Sequence, residues 1–184
     1  MTTFTTQAPK ATGQNKAKFA LASEPSRLST EAQFESVATS FTLLKTMMHR
    51  MLANTYVLGI KTQNIHWNGE GSLFYSAHEI TDGIYHELAK FIDRIAERIR
   101  AIEETVPATL HEMIELASIE DNTSALDLKG MLTSIVADFE KTSKDAKQTV
   151  IVAESKQDSA TADLATELID FCDHQAWMLR SLIK

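Results

Sequence analysis

Cysteine, proline, glycine and long apolar runs are all scarce in this chain. Its 184 residues include one Cys, three Pro and six Gly. The single cysteine, Cys172, excludes a disulfide within the chain and fits a reducing cytoplasm, where we interpret it as a small buried hydrophobe. Few glycines and prolines, with an aromatic fraction of only 7%, favour helices over a turn-rich β architecture.

No apolar run is long enough to suggest membrane insertion. A transmembrane helix needs about 18 or more predominantly apolar residues, and the sequence contains no such run. The N-terminus also lacks the apolar centre of a secretion signal. With 43% hydrophobic residues, the chain suits one domain with a substantial core. We therefore expect a cytoplasmic protein without membrane contact.

The net charge of −7 is unevenly distributed along the chain. Residues 1–30 contain four cations and one acidic residue, a net charge of +3, so the remainder carries −10. The four cations are Lys10, Lys16, Lys18 and Arg27. This stretch shows no helical period, and we interpret it as a flexible basic arm ahead of a folded domain over residues 31–184. An acidic body suits cation uptake and disfavours nucleic acid bound directly to it.

Beyond the arm, apolar residues recur every three or four positions and predict long amphipathic helices. The first helix begins after a cap at Ser29 or Thr30 and continues to about His66. The sequence Asn-Gly-Glu-Gly then forms a turn, and the second helix covers residues 72–104.

A short helix and two further long helices follow the second one. Pro107 marks a break, and residues 109–117 have enough periodicity for a short helix inside a long crossover. The third long helix begins after a cap at Ser124 or Asp127, and the fourth starts within residues 158–161. The pattern therefore predicts an all-α fold of four long helices and one short crossover helix.

The second predicted helix carries four side chains of metal-ligand type away from its apolar stripe. At about 100° per residue these four fall within an arc of roughly 100°. They are His78, Asp82, Asp93 and Glu97. The first two lie one turn apart, as do the last two, so each pair can hold one metal ion. The alternative is a solvated polar face, which is what most charged helix faces are.

The separation of the two pairs bears on assembly. At 1.5 Å per residue they lie about 22 Å apart along the helix, too far for one ion to bridge. Two arrangements remain: two separate sites, or two copies of the helix running antiparallel across a two-fold axis. In the second, the first pair of one chain meets the second pair of its partner, giving two equivalent composite sites per dimer. Spacing alone leaves both arrangements open.

A wider pattern around these residues resembles that of the Dps family (DNA-binding protein from starved cells), the small dodecameric members of the ferritin superfamily. Three motifs carry the resemblance: His66-Trp67-Asn68, His78-Glu79-x-x-Asp82-Gly83 and Asp93-x-x-x-Glu97-Arg98. The resemblance runs from about residue 35 to the C-terminus. It implies a ferritin-like four-helix bundle with a short extra helix between the second and third long helices.

The resemblance also implies a function and its residues. Five residues take the positions of the family's ferroxidase ligands, which lie between two subunits: His66, His78, Asp82, Asp93 and Glu97. We accordingly expect oxidation of Fe²⁺, preferably by hydrogen peroxide, and storage of ferric iron in a hollow shell of twelve chains. Imidazole with carboxylate also suits Zn²⁺ or Mn²⁺, so a zinc-loaded member with little activity is one alternative. A DNA-compacting structural protein is another.

Three further residues or regions each have two alternative interpretations. Asp163, in a weaker match from Thr161 to Trp177, is a candidate for an acidic pore through which Fe²⁺ enters; the helix dipole is the simpler reason for an acid there. His86 also lies on the ligand face, as an extra ligand or an ordinary exposed histidine. The basic arm can tether DNA phosphates or serve as a passive tail, and DNA binding would place the protein at the nucleoid.

Overall fold

The computed structural model describes residues 27–121 and 127–184, with side chains within residues 42–121 and 127–184. The regular structure of this part of the chain consists of helices: α1 (Arg27–Asn68), α2 (Phe74–Ala101), α3 (Leu110–Leu116), α4 (Leu128–Ser155) and α5 (Ser159–Leu182). The predicted all-α fold of four long helices and one short crossover helix is therefore confirmed.

The four long helices close into a ring. α1 packs against α2 and α4, while α5 packs against α4 and α2. Short turns join α1 to α2 and α4 to α5, whereas a long crossover that includes α3 joins α2 to α4. α3 lies against α1. This connectivity, two antiparallel pairs linked by one long crossover, is that of ferritin-like bundles.

The observed helix ends test the predicted caps. α1 begins at Arg27, ahead of both predicted caps, Ser29 and Thr30, so that prediction is wrong. Asp127 caps α4 by accepting a hydrogen bond from the backbone N–H of Gly130 at 2.8 Å, as predicted. The other candidate, residue 124, lies outside the described residues, as do the arm residues 1–26; the arm stays a prediction.

α3 and α5 begin where the sequence predicts. Thr109 starts α3 with a capping box, in which its hydroxyl accepts from the N–H of Glu112 and the Glu112 carboxylate accepts from the Thr109 backbone N–H. Asp158 caps α5 by accepting from the backbone N–H of Thr161 at 3.0 Å. These side-chain oxygens satisfy N–H groups that have no partner within the helix.

The core lies along the axis of the bundle. Its largest fully buried side chains include Met48, Leu52, Leu88, Ile95, Leu132, Phe139, Leu168 and Leu179. Cys172 is also fully buried, and this burial raises the pKa of its thiol, as befits an inert core residue. None of the described helices combines the length and the apolar character needed to cross a membrane.

Buried polar contacts fix the crossover to the bundle. The Lys61 ammonium lies 2.5 Å from the Asp138 carboxylate on α4 and donates to the carbonyl of Glu120 at 3.0 Å. Asn54 on α1 accepts a hydrogen bond from the backbone N–H of Ser118 at 2.8 Å. Since unpaired buried polar groups are costly, these contacts hold the end of the crossover in one position against α1 and α4.

Candidate metal centre

The turn between α1 and α2 brings two predicted ligands together. It spans residues 69–73 and contains two glycines. Gly71 has a φ of +101°, in the left-handed region that glycine adopts without strain. A Cβ added at Gly69 would lie 2.8 Å from the carbonyl oxygen of Ile65, so a larger residue would push the turn away. The tight turn leaves His66, in the last part of α1, beside His78, in the first part of α2.

His66 and His78 form a reciprocal hydrogen-bonded pair. The Nδ1 of His66 lies 3.0 Å from the backbone carbonyl of His78, and the Nδ1 of His78 lies 3.0 Å from the carbonyl of His66. A carbonyl only accepts, so each Nδ1 carries the hydrogen. The two rings stack, with centroids 3.8 Å apart and planes at 18°. In each neutral ring Nε2 then keeps its lone pair, which is the state that binds a metal ion.

Thr81 supports the histidine pair from the buried side of α2, and sequence reasoning missed it. Its side chain is fully buried, and its hydroxyl donates to the carbonyl of Ala77 at 2.6 Å. The same oxygen lies 3.3 Å from the Nδ1 of His66 and can accept a share of that N–H. The only signal in the sequence is its position three residues after His78, which places it on the adjoining side of the helix.

Asp82 lies one turn after His78 and is exposed. The Tyr85 hydroxyl donates to Asp82 Oδ1 at 2.9 Å, and this hydrogen bond raises the pKa of Tyr85 above its usual value. His86 Nε2 lies 3.9 Å from the same oxygen. Sequence reasoning also missed Tyr85, although its spacing of three residues from Asp82 indicates contact on a helix.

The second half of α2 presents Asp93 and Glu97, both exposed as predicted, because the apolar stripe faces elsewhere. Neither carboxylate has a hydrogen bond or ion pair within the described part of the chain. The neighbouring cation Arg94 does not compensate them, since it pairs with Glu167 on α5 at 2.6 Å. The oxygens of the two carboxylates are therefore available to a ligand.

Arg98, the residue after Glu97, ties this half of α2 to the start of α5. Its guanidinium donates to Asp158 Oδ1 at 2.5 Å and to the hydroxyl of Thr161 at 2.9 Å. Burial alone raises the pKa of Asp158, but hydrogen bonds from Thr161 and the charge of Arg98 outweigh it and hold that pKa below its usual value. These contacts hold the backbone of this part of α2 against α5, although the side chains of Asp93 and Glu97 are exposed.

Within one chain the two sets of candidate ligands stay apart. α2 runs without a break from Phe74 to Ala101, so His78 and Asp93 are separated by about 22 Å along its axis. Among the described residues no three His, Cys, Asp or Glu side chains lie close enough together to hold a metal ion. Within the described part of the chain the candidate ligands therefore form two separate sets, one at each end of α2.

Comparisons with known proteins agree with this architecture. A model of the ferritin-like domain matches residues 45–184. DNA protection during starvation protein 2 from Bacillus anthracis is 33% identical over 137 residues, which make up 74% of this chain and 94% of that protein. The chain belongs to the Dps family. The match to the ferritin-like domain includes the whole of α2 and His66.

Solved Dps structures have the same fold as this Dps chain. The crystal structure of a Dps protein from Bacillus brevis is 32% identical, with a TM-score of 0.76, and the likeness covers 79% of this chain and 98% of that one. The Dps protein of Vibrio cholerae, described as a member of a superfamily of ferritin-like diiron-carboxylate proteins, is 25% identical, with a TM-score of 0.74 and coverage of 79% and 92%.

The remaining candidates on this Dps chain are exposed. Asp163 lies on the surface of α5, five residues after its cap Asp158, and has no polar partner among the described residues. His86 is exposed on α2 and contacts the ring of Tyr85, with centroids 4.4 Å apart. The proposed pore role of Asp163 and the ligand role of His86 both stay predictions.

Proposed function

We propose that this Dps-family chain binds Fe²⁺ between two subunits, oxidises it preferably with hydrogen peroxide, and stores ferric iron inside a shell of twelve chains. The observation that supports it most is the reciprocal pair of His66 and His78. Two imidazoles whose Nδ1 atoms are committed to carbonyls offer both Nε2 atoms in one place. His78 also shares α2 with the exposed carboxylates of Asp93 and Glu97, which a composite site would use.

A composite site gives both partial ligand sets a role. Across a two-fold axis, His66, His78 and Asp82 of one chain would face Asp93 and Glu97 of its partner. The site then combines imidazole nitrogens with carboxylates, a donor set that suits Fe²⁺. The carboxylates would also compensate the added positive charge when Fe²⁺ becomes Fe³⁺. Zn²⁺ or Mn²⁺ could occupy the same donors, and zinc, which has no redox chemistry, would inhibit oxidation.

The reaction consumes both reactants that generate hydroxyl radicals. Two Fe²⁺ ions each lose one electron, and one hydrogen peroxide molecule takes up both electrons and two protons to give two water molecules. The products are Fe³⁺ and water, so DNA in the same compartment is protected from oxidative damage. We place the protein in the cytoplasm for this role.

Mixing two inactive variants tests the composite site. One variant carries His66→Ala and His78→Ala, and the other carries Asp93→Ala and Glu97→Ala. In a mixed dimer the intact histidines of the second chain face the intact carboxylates of the first, so one of its two sites is complete. Random pairing makes half of the dimers mixed, so co-assembly should restore roughly a quarter of the wild-type Fe²⁺ oxidation.

The same mixture distinguishes the alternatives. The two variants are dissociated, mixed and reassembled, and ferric iron formation after addition of hydrogen peroxide is followed by absorbance. Each variant reassembled alone provides the control, and light scattering confirms that all samples reach the same size. If the mixture stays as inactive as its components, each site belongs to one chain and the composite arrangement is wrong.

A second candidate function, DNA compaction, is favoured by the charge asymmetry of the sequence. Residues 1–30 carry +3, including Arg27 at the start of α1, and the remainder carries −10, so any binding would come from the many copies of this N-terminal segment on one shell. Deleting residues 1–28 should abolish retardation of DNA in a gel at ~150 mM salt and leave iron oxidation intact. Retardation by the truncated protein would instead point to a surface on the acidic body.

A further inference from the structure

Two side chains on the next turn of α2, those of Tyr85 and His86, lie near the same oxygen of Asp82. The Tyr85 hydroxyl lies 2.9 Å from Asp82 Oδ1, and His86 Nε2 lies 3.9 Å from the same atom. Only the first distance is that of a hydrogen bond. A modest rotation of the Asp82 carboxylate would reverse this choice, because both donors belong to the same helix and lie within one turn of it.

The ring of Tyr85 is fixed between two histidines. It meets the ring of His66 edge to face, with centroids 5.3 Å apart, and it packs against the ring of His86 with centroids 4.4 Å apart. Its side chain is half-buried, whereas those of Asp82 and His86 are exposed. Tyr85 is therefore the better anchored of the two donors. Its hydroxyl occupies Oδ1, and no described group donates to Asp82 Oδ2.

We propose that Tyr85 is a positioning residue for metal binding: its hydroxyl holds the Asp82 carboxylate beside the His66–His78 pair and prevents it from turning to His86. The inference rests on the proposed function, because it takes Asp82 as a metal ligand. A neutral O–H donor orients the carboxylate without cancelling its charge, and the second oxygen stays free for the metal ion. Hydrogen bonds of this kind tune ligands elsewhere in metal sites.

Four variants of the full-length assembled protein test this role with Co²⁺ as the probe in calorimetric titrations. Tyr85→Phe removes the hydroxyl and keeps the ring, and should weaken Co²⁺ binding about tenfold. Tyr75→Phe is the matched control, since Tyr75 is exposed on the same helix and its hydroxyl has no described partner; its affinity should equal that of the wild type. His86→Gln alone should also bind as the wild type does.

The double variant Tyr85→Phe/His86→Gln decides how Tyr85 acts. Removing His86 takes away the competing partner of Asp82, so the double variant should recover most of the affinity lost in Tyr85→Phe. Such non-additivity is expected only between residues that act on the same group. A double variant that binds as weakly as Tyr85→Phe, or a Tyr85→Phe protein that binds as tightly as the wild type, would overturn the proposal.

Crystal structures of the metal-free proteins separate this inference from the proposed function. In Tyr85→Phe the Asp82 carboxylate should hydrogen-bond to His86, and in the wild type it should stay with Tyr85. An unchanged Asp82 in Tyr85→Phe contradicts the positioning role even if iron oxidation is confirmed. Conversely, a wild-type protein that neither binds Co²⁺ nor oxidises Fe²⁺ refutes the proposed function, while the two structures still decide what orients Asp82.

Discussion

The two ends of α2 present candidate ligands in opposite states. Near its start, His78 is hydrogen-bonded to the backbone carbonyl of His66, and its ring stacks on the ring of His66. Asp82 accepts a hydrogen bond from the hydroxyl of Tyr85. Near its end, Asp93 and Glu97 are exposed and have no polar partner in the described part of the chain. One end is organised by contacts within the chain, and the other is organised only through its backbone.

This difference fits a site that is completed by assembly. A ligand set held in place before metal arrives loses little entropy on binding, whereas free carboxylates must be ordered at that moment. If the partner's histidine half supplies a preformed surface, the exposed carboxylates can adapt to it and to the ion. Substitutions at the two ends should therefore have different effects. At the carboxylate end they should reduce Fe²⁺ oxidation alone, and at the histidine end they should reduce both Fe²⁺ oxidation and folding stability.

The largest effect is expected from Asp93→Asn/Glu97→Gln, which removes both charges and keeps the shapes. Fe²⁺ oxidation should fall at least about a hundredfold, because direct ligands matter no less than the groups that orient them. Stability should stay within about 0.5 kcal/mol of the wild type, since both side chains are exposed and unpaired. Stopped-flow absorbance and chemical denaturation measure the two quantities.

A charge-matched control accompanies this prediction. Glu120→Gln/Glu154→Gln also removes two exposed carboxylate charges, one outside the helices and one on α4. Its oxidation rate should equal that of the wild type. An equal loss of activity in the control would show that the overall negative field, and not ligation by Asp93 and Glu97, drives the reaction.

The histidine end should show a combined effect. His66→Ala or His78→Ala removes one Nε2 ligand and should slow Fe²⁺ oxidation about ten- to a hundredfold. Each variant also leaves a carbonyl without its donor and a ring without its stacking partner, so stability should fall by about 1–2 kcal/mol. Denaturation curves that match those of Asp93→Asn/Glu97→Gln would mean that the histidine pair contributes nothing to the fold, and the contrast between the ends would disappear.

Asp158 tests how the backbone of the carboxylate end is fixed. Asn at this position keeps the helix cap but loses the ion pair with Arg98, which should cost about 1–2 kcal/mol at neutral pH. Because folding lowers the pKa of Asp158, its contribution is complete above the unfolded value of about 3.9 and is lost as pH falls below it.

Chemical denaturation of the wild type and of Asp158→Asn over a range of pH checks the direction of this pH dependence. The difference in unfolding free energy should shrink below about pH 4. Asp173→Asn is the control, since its ion pair with Lys147, at 3.2 Å, is about half exposed on both sides and should contribute little. A difference that persists unchanged in acid would show that the Asp158 carboxylate does not stabilise this junction.

The elements that were predicted correctly from the sequence are those that local periodicity determines. The second helix follows from a 100° rotation per residue, and its apolar stripe lies buried where that period places it, at Ile84, Leu88 and Ile95. The same period places the candidate ligands on an exposed face of the helix. The start of α1 was predicted wrongly, because a cap preference near 1 kcal/mol does not outweigh continued helix through Ser29 and Thr30.

Side-chain contacts between and along the helices could not be predicted from the periodicity of the sequence. The sequence placed His66 in the site only by resemblance, since nothing in a helical period reveals that a five-residue turn stacks it on His78. The hydrogen bonds of Thr81 and Tyr85 also depend on side-chain rotamers, which periodicity does not specify. The candidate ligands could therefore be named from the sequence, and their role stays a prediction, whereas the contacts of Thr81 and Tyr85 could not be predicted.

The smallest effect is expected from Thr81→Val. This substitution tests only the contact of the Thr81 hydroxyl with His66 at the histidine end of α2. Valine keeps the volume and removes the hydroxyl near His66 Nδ1, so Co²⁺ affinity should fall about threefold, the equivalent of part of one hydrogen bond. Thr62→Val is the matched control: its hydroxyl is equally buried and donates to the carbonyl of Leu58 at 2.7 Å, and no side-chain hydrogen bond links it to a candidate ligand among the described residues. Equal affinities for the two variants in calorimetry would show that Thr81 serves α2 alone and that the two main-chain hydrogen bonds suffice to orient the histidines.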